Sequence, residues 1–198
     1  MSDSSDNAKS GSTQRETFES VVRALDSAGI PYMLTGSIAS SFHGEPRATL
    51  DIDVVVDPTE TNLGRLVDEL QALGYYAERD AAYQALSERG QFNAIDPASG
   101  WKVDLIVRPR GPFSDSAFSR RIHASILGVD VHVATAEDTI ISKLEWAGAG
   151  ESDRQLRDVA GILLVSGETL DLDYVTRWVR QLGLEAPWTR AFSKAGRA

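Results

Sequence analysis

The stretch LTGSIASSFHGEPRATLDIDVVVD, residues 34–57, decides how this chain folds. Near its start is a Gly-Ser pair, Gly36 and Ser37, which follows a short apolar run. It ends in a strand-like segment in which Asp51 and Asp53 are one residue apart. Alternate residues of a β-strand share a face, so the two carboxylates project to the same side, about 7 Å apart at Cα. Carboxylates this close repel each other unless a cation lies between them.

These residue types suit a site for phosphate and metal. Mg²⁺ binds oxygen ligands and leaves room for substrate phosphates. Gly36 would let backbone N–H groups approach a polyphosphate, and the N-terminus of a helix over 38–43 would add favourable partial charge. The alternative is a surface strand with two solvated aspartates. The three valines at 54–56 disfavour it, because such an apolar run marks a buried strand in which bare carboxylates are costly.

A second predicted strand carries a further acid. In WKVDLIVRP, residues 101–109, alternate residues are apolar and would share one face of the strand. Lys102 and Asp104 would lie on the other face. Asp104 would complete a set of three carboxylates if this strand lay beside the strand of Asp51 and Asp53. The alternative is an edge strand with a solvent-facing aspartate.

The composition is that of an ordinary globular protein, with 42% hydrophobic and 25% charged residues among 198. The formal charge of −9 provides no global basic field for nucleic acid, so an RNA substrate would need a local basic patch. The chain has no cysteine, which excludes disulfides and thiolate sites. It also lacks a signal-like start and an apolar run of about 18 residues, so we expect no membrane association and a cytoplasmic location.

Periodicity divides the chain into four predicted regions. These are a disordered leader over 1–12, a core over 13–134, a helical part over 135–185 and a frayed tail over 186–198. Within the core, residues 81–86 are predicted as a helical turn, 109–120 as a loop and 126–133 as a strand or hairpin. The predicted fold class is α+β, a mixed β-sheet flanked by helices with a helical C-terminal part.

The Gly-Ser turn, the Asp-x-Asp strand and the third acidic strand together resemble the DNA polymerase β-type nucleotidyltransferase superfamily. Within it, the chain resembles bacterial minimal nucleotidyltransferases related to the AbiEii-type toxins of type IV toxin–antitoxin systems. Arg47 and Thr49 match the Arg-x-Thr that often precedes the Asp-x-Asp. Lys143, in IISKLEW, matches a helical lysine of that branch.

A later Arg-Asp pair extends the resemblance to the toxin-like branch. Arg157 and Asp158, in RQLRDVAGIL, match this pair. The chain departs from this pattern at Ile162, where a second acid often follows four residues after the pair.

The resemblance implies that the chain moves a nucleoside monophosphate from a nucleoside triphosphate, such as ATP, to an acceptor. It implies that Asp51, Asp53 and Asp104 hold Mg²⁺ or Mn²⁺ and take part in catalysis. Asp104 would also help to remove the proton of the acceptor. Lys143 and Asp158 are further catalytic candidates, with a solvated lysine and an exposed ion pair as the alternatives.

The resemblance also implies a set of phosphate-binding residues. Gly36 and Ser37 would cradle the β- and γ-phosphates, and Arg47 or Lys143 would offset their charge. His43 lies close in sequence, but we interpret it as a packing or capping residue.

Three functions remain open from the sequence. The first is a toxin-like enzyme that modifies RNA, such as tRNA ends, with an antitoxin protein as partner, and the Lys143 and Arg157-Asp158 elements favour it. The second is transfer to a small molecule such as an aminoglycoside or lincosamide, which the acidic balance favours because acidic walls attract amino sugars. The third is a non-catalytic nucleotide-binding module, which the intact set of three acids disfavours.

Overall fold

The computed structural model of the chain describes residues 14–49, 51–148 and 153–196. The predicted leader lies outside these ranges. The helices are α1 Gln14–Ala28, α2 Gly36–His43, α3 Glu60–Ala72, α4 Arg79–Glu88, α5 Pro112–Arg120, α6 Ala136–Gly148, α7 Asp153–Ser166, α8 Leu172–Leu182 and α9 Glu185–Lys194. The strands are β1 Tyr32–Leu34, β2 Asp51–Val56, β3 Tyr76–Ala77, β4 Gln91–Ile95, β5 Lys102–Val107, β6 Ile122–Ile126 and β7 Val129–Val133.

The strands form one mixed sheet in the order β3-β4-β5-β2-β1-β7-β6. β2 runs parallel to β5 and β1 parallel to β7, whereas the other neighbouring pairs are antiparallel. This architecture confirms the predicted α+β class with a mixed sheet.

The register between β2 and β5 positions the acids. Asp53 pairs with Asp104, and Asp51 pairs with Lys102. The prediction that these two strands are neighbours is therefore confirmed, and the edge-strand alternative for Asp104 is wrong, because β5 lies between β2 and β4.

The two faces of the sheet have different surroundings. The face that carries Ile52, Val54 and Leu105 packs in one large apolar core with residues of α1, α3 and α4, such as Phe18 and Leu63. The opposite face carries the three acids. Helices α6 to α9 form a separate apolar cluster, and α6 and α7 both contact α2, the helix that begins at the Gly-Ser pair.

The structure corrects the prediction for the segment after β5. Residues 109–120 do not form a loop throughout, because α5 spans Pro112–Arg120. Pro112 is suited to the first turn of a helix, and Ala117 and Phe118 are buried on its inner side. The predicted helical turn at 81–86 is part of the longer α4.

Two further segments differ from or refine the sequence predictions. The strand or hairpin predicted over 126–133 is a hairpin of β6 and β7. The tail predicted from residue 186 instead contributes α9, in which Ala191 is fully buried and Trp188 and Phe192 pack against the C-terminal cluster. In the described ranges, no helix is both long enough and apolar enough to cross a membrane.

Candidate active site

The turn between β1 and α2 brings the backbone against Asp53. Gly36 begins α2 with a φ of 59°, and a Cβ atom at this position would overlap the carboxylate of Asp53. The backbone N–H of Ser37 donates to Asp53 Oδ2 at 3.4 Å. Glycine is required here both for the left-handed backbone and for this close approach.

The three acids lie on one face of the sheet with a lysine among them. Lys102 Nζ is 2.9 Å from Asp104 Oδ2 and 3.8 Å from Asp51 Oδ1. The other oxygen of Asp104, Oδ1, is buried without a hydrogen-bond partner. A buried carboxylate oxygen without a partner is costly unless a cation or a donor approaches it.

Asp53 is destabilised as an anion. Burial is the main reason that the pKa of Asp53 is raised, and the charges of Asp104 and Asp51 raise it further. The Ser37 N–H and the charge of Lys143 act in the opposite direction without cancelling these effects. The site therefore concentrates negative charge that a ligand cation would relieve.

Carboxylates concentrated in this way suit a hard divalent cation, for which oxygen is the preferred ligand. In the part of the chain that the structure describes, no three acidic or histidine side chains stand close enough to hold an ion together. The ammonium of Lys102 lies between Asp51 and Asp104. The unpartnered Oδ1 of Asp104 suits a cation chemically. Asp51, Asp53 and Asp104 stay a prediction as metal ligands, because their side chains would have to converge on the ion and Lys102 would have to leave.

A buried ionic network connects α2, α6 and α7 behind the acids. Lys143 Nζ lies 2.7 Å from Asp158 Oδ2, and the side chains are only 6% and 8% exposed. Arg47 Nε donates to the other oxygen of Asp158 at 3.1 Å, and Ser40 Oγ donates to Oδ2 at 3.4 Å. The alternatives of a solvated lysine and an exposed ion pair are therefore wrong for these side chains.

The cations Lys143 and Arg47 keep the carboxylate of Asp158 ionised. Burial alone would raise the pKa of Asp158, but the hydrogen bond and charge of Lys143, followed by those of Arg47, outweigh it and hold the pKa below its usual value. Asp158 is therefore the anion that allows Lys143 to be buried beside the site, and it also holds the partly exposed Arg47 there.

Arg47 connects this network to the Gly-Ser turn. Its Nη2 donates both to Asp158 Oδ2, at 3.2 Å, and to Ser37 Oγ. The predicted phosphate-binding residues Ser37 and Arg47 are thus in direct contact. The hydrogen bond to the Ser37 hydroxyl is the link between Arg47 and the site.

A cavity of about 280 Å³ lies over the acids, between the sheet, α6 and α7. Its lining includes the predicted residues Gly36, Ser37, Asp51, Asp53, Asp104 and Lys143. It also includes residues that we did not predict, namely Thr35, Gln91, Ile106, Thr139, Ser142, Trp146, Arg154 and Gln155. Among these, Arg154 adds a cation at the wall, with Nη2 3.5 Å from Ser37 Oγ.

The other residues of the sequence resemblance have different surroundings. Arg157 is exposed and lines a neighbouring cavity with Arg47 and Arg154. Thr49 Oγ1 bonds the backbone of Asp51 and so orders the start of β2. His43 Nε2 donates to the carbonyl of Ala134 at 2.7 Å, and burial lowers the pKa of His43.

Comparison with solved structures identifies the fold. The chain is similar to ANT(2'')-Ia in complex with adenylyl-2''-tobramycin, with a TM-score of 0.56 and 16% identity over 90% of this chain and 99% of that chain. It is also similar to the lincosamide antibiotic adenylyltransferase LnuA, lincomycin-bound, with a TM-score of 0.55 and 13% identity over 78% and 99% of the two chains. The chain has the nucleotidyltransferase fold.

A third structure with this fold is an antigenic nucleotidyltransferase-like protein from Paracoccidioides brasiliensis, with a TM-score of 0.54 and 19% identity over 93% of each chain. No family model matches the sequence, and no curated protein matches it either. The relationship is therefore one of fold, and the AbiEii-type branch remains a prediction from the sequence.

The contact between Gly36 and Asp53 gives a direct test by mutation. We expect Gly29→Ala, at another positive φ but with open space around the added Cβ, to cost about 1 kcal/mol of unfolding free energy. Gly36→Ala should cost about 2 kcal/mol more, because the added Cβ overlaps Asp53. Urea unfolding followed by circular dichroism measures both, and equal losses would contradict the close approach.

The lowered pKa of Asp158 predicts a contribution to acid stability. Its contribution is fully present above the unfolded-state value and is lost as the pH falls below about 4, because the unfolded chain then binds the proton first. Between pH 6 and pH 3, we expect the wild type to lose about 1 kcal/mol more unfolding free energy than Asp158→Asn. Asp80→Asn, at an exposed acid on α4, should keep the wild-type pH dependence. A wild-type profile for Asp158→Asn would contradict the ionised network.

Proposed function

We propose that this chain transfers a nucleoside monophosphate from a nucleoside triphosphate to a small-molecule acceptor. The observation that carries the proposal is the pairing of Asp53 with Asp104 on neighbouring parallel strands, directly beside the Gly36 turn. The repelling carboxylates suit a divalent cation, and the backbone N–H groups of the adjacent turn suit a phosphate. The site therefore suits a ligand that combines phosphate with a divalent cation.

The triphosphate would lie along the wall formed by the start of α2 and by α6 and α7. Ser37, Lys143 and Arg154 line this wall of the cavity. Their hydroxyl, ammonium and guanidinium groups would contact the β- and γ-phosphates, and the N-terminus of α2 would add partial positive charge. Arg47 would hold Ser37 in position from behind, through their direct hydrogen bond.

Asp51, Asp53 and Asp104 would hold Mg²⁺ or Mn²⁺. When bound, the ion would neutralise charge on the triphosphate and stabilise the leaving pyrophosphate. Lys102, which contacts Asp51 and Asp104, would have to release them for the ion. Its ammonium preserves charge balance in the site before the ligand enters.

The chemistry follows from the position of the acids. An acceptor hydroxyl oxygen would attack the α-phosphorus, a new P–O bond would form, and the bond from the α-phosphorus to the bridging oxygen would break. Pyrophosphate would leave with the bonding electrons. Asp104 would accept the hydroxyl proton at Oδ2, the oxygen that Lys102 releases.

Two observations favour a small acceptor. The structures with this fold include ANT(2'')-Ia bound to adenylyl-2''-tobramycin and LnuA bound to lincomycin. The chain also carries a formal charge of −9, which repels a nucleic acid and attracts a cationic acceptor.

RNA is a second candidate, and one local feature favours it. Arg47, Arg154 and Arg157 line a neighbouring cavity of about 320 Å³ together with Glu45 and Asp158, and these arginines are the local cations that an RNA substrate would need. A toxin-like role with an antitoxin partner rests on these arginines and on the sequence resemblance alone. A non-catalytic nucleotide-binding role is disfavoured by the three acids, all of which line the cavity.

The test is transfer of label from α-³²P nucleoside triphosphates with Mg²⁺ into tobramycin, lincomycin and total RNA. We expect label in a small molecule, and we expect Asp53→Asn to lower the rate by at least about 100-fold, because charge stabilisation at the α-phosphate is lost. Asp57→Asn is the matched control, since Asp57 follows the same strand but pairs with Arg89 and Arg108 away from the cavity.

The outcomes separate the candidates. Label only in RNA, lost in Asp53→Asn, would favour the toxin-like enzyme. Triphosphate binding without transfer into any acceptor would favour the binding module. Equal transfer by the wild type and Asp53→Asn would contradict the proposed site.

A further inference from the structure

A second cavity, of about 470 Å³, adjoins the acid site on the same face of the sheet. Its floor is formed by Met33, Val55 and Ile106, and Val55 and Ile106 each lie two residues beyond Asp53 and Asp104 on the same strands. Because alternate strand residues share a face, the floor of this cavity continues directly from the row of acids.

The walls of this cavity are mostly apolar. The loop after β5 and helix α5 contribute Pro109, Pro112, Phe113 and Phe118. The volume lies within the range of about 300–1,000 Å³ typical of small-molecule sites, and such sites are lined largely by apolar side chains with few polar groups. An RNA backbone would lose its hydration in such a cavity without gaining cationic partners.

The two cavities share a boundary. Thr35, Ile106, Ser142 and Trp146 line both of them. The two cavities therefore meet at these four residues, and Ile106 places this border two residues from Asp104 on β5.

The charged groups of this cavity are Glu145 and Arg110, and both side chains are exposed at its rim. The carboxylate of Glu145 makes no ion pair or hydrogen bond within the ranges that the structure describes. It is adjacent in sequence to Trp146, which is 61% exposed and stands at the shared boundary. A carboxylate beside an accessible indole favours an ammonium group, by charge and by cation–π attraction.

We propose that this cavity is the acceptor site and that it takes a compact, largely apolar molecule that carries one ammonium group and a hydroxyl group. The proposal rests on the nucleotidyl transfer proposed above and specifies its acceptor. The apolar body lies on Val55 and Phe118, the ammonium group faces Glu145, and the hydroxyl group points toward Asp104. The triphosphate occupies the other side of the acids, next to Arg47 and Arg154.

Binding of a simple probe tests the site before the natural acceptor is identified. Phenylalaninol has an aromatic ring, an ammonium group and a hydroxyl group, and alaninol is its counterpart without the ring. Saturation-transfer NMR with the full chain, with and without Mg²⁺ and ATP, measures the binding of each. We expect phenylalaninol to bind in both conditions, and alaninol to bind at least 10-fold more weakly or not at all, an order-of-magnitude expectation for a buried ring.

Two tryptophan variants on α5 locate the binding. Ser114 lines the cavity, whereas Ser119 lies on the same helix, is exposed and is absent from the lining. Ser114→Trp should fill the cavity and weaken phenylalaninol at least about 10-fold, and Ser119→Trp should leave binding unchanged. Calorimetric binding of ATP with Mg²⁺ should be the same in both variants, and circular dichroism verifies their folding.

An isosteric variant at the rim of the cavity tests the ammonium contact. Glu145→Gln should weaken phenylalaninol about 3- to 10-fold and leave the neutral analogue phenylpropanol unchanged, since only the charged ligand loses a partner. Equal effects on both ligands would overturn the assignment of the ammonium group.

The remaining outcomes are also decisive. Displacement of phenylalaninol by ATP would overturn the proposal, because the cavity would then hold the nucleotide base. The same binding in Ser114→Trp as in the wild type, or none in the wild type, would overturn it as well. In a final case, phenylalaninol binds only in this cavity and ATP binds to no variant. This result would support a small-molecule site and contradict nucleotidyl transfer.

Discussion

The parallel register of β2 and β5 is the constraint on which the site depends, because it sets Asp53 directly opposite Asp104. Burial and like charge make this pair unfavourable as it stands, and the raised pKa of Asp53 expresses that cost. Burial of the opposite faces of the same strands, which are fully apolar, offsets this unfavourable free energy. Ile52, Val54 and Leu105 anchor the two strands in the main core.

The charges around the acids are arranged to limit that cost. Lys102 provides a cation at the front of the site, where it contacts two of the three acids. Behind the site, Asp158 pairs with the buried Lys143 and the partly exposed Arg47, and so keeps both cations close to the Gly-Ser turn. The helical part therefore completes the site electrostatically, since both Lys143 and Asp158 come from it.

The parts of the site that could be predicted from sequence depend on local pattern. Strand periodicity placed Asp51 and Asp53 on one face, and it made Asp104 a third member of the set only if the two strands were neighbours. Two contacts of the site join segments that are distant in sequence. These are the approach of Gly36 to Asp53 and the pairing of Asp53 with Asp104. The sequence indicated that these residues lie close together, and the structure defines the geometry of their contacts.

The parts that could not be predicted depend on tertiary packing. Helix α5 contains Pro112, serines and an aspartate, residues also typical of loops, and it is stabilised by burial of Ala117 and Phe118. Helix α9 has only a short apolar pattern, and its Ala191 is buried by the other C-terminal helices. Arg154 and Trp146 reach the cavity because of how α6 and α7 pack, which no local pattern contains.

The central claim is that the acids paired across β2 and β5 bind a divalent cation together with a triphosphate. Titration of Mn²⁺ followed by electron paramagnetic resonance, with a non-hydrolysable ATP analogue present, tests this claim most directly. We expect Mn²⁺ to bind to the wild type and to Asp57→Asn, and to bind at least about 10-fold more weakly to Asp104→Asn, an order-of-magnitude expectation for the loss of one carboxylate ligand. Mn²⁺ binding by Asp104→Asn as tight as that of the wild type would contradict the account.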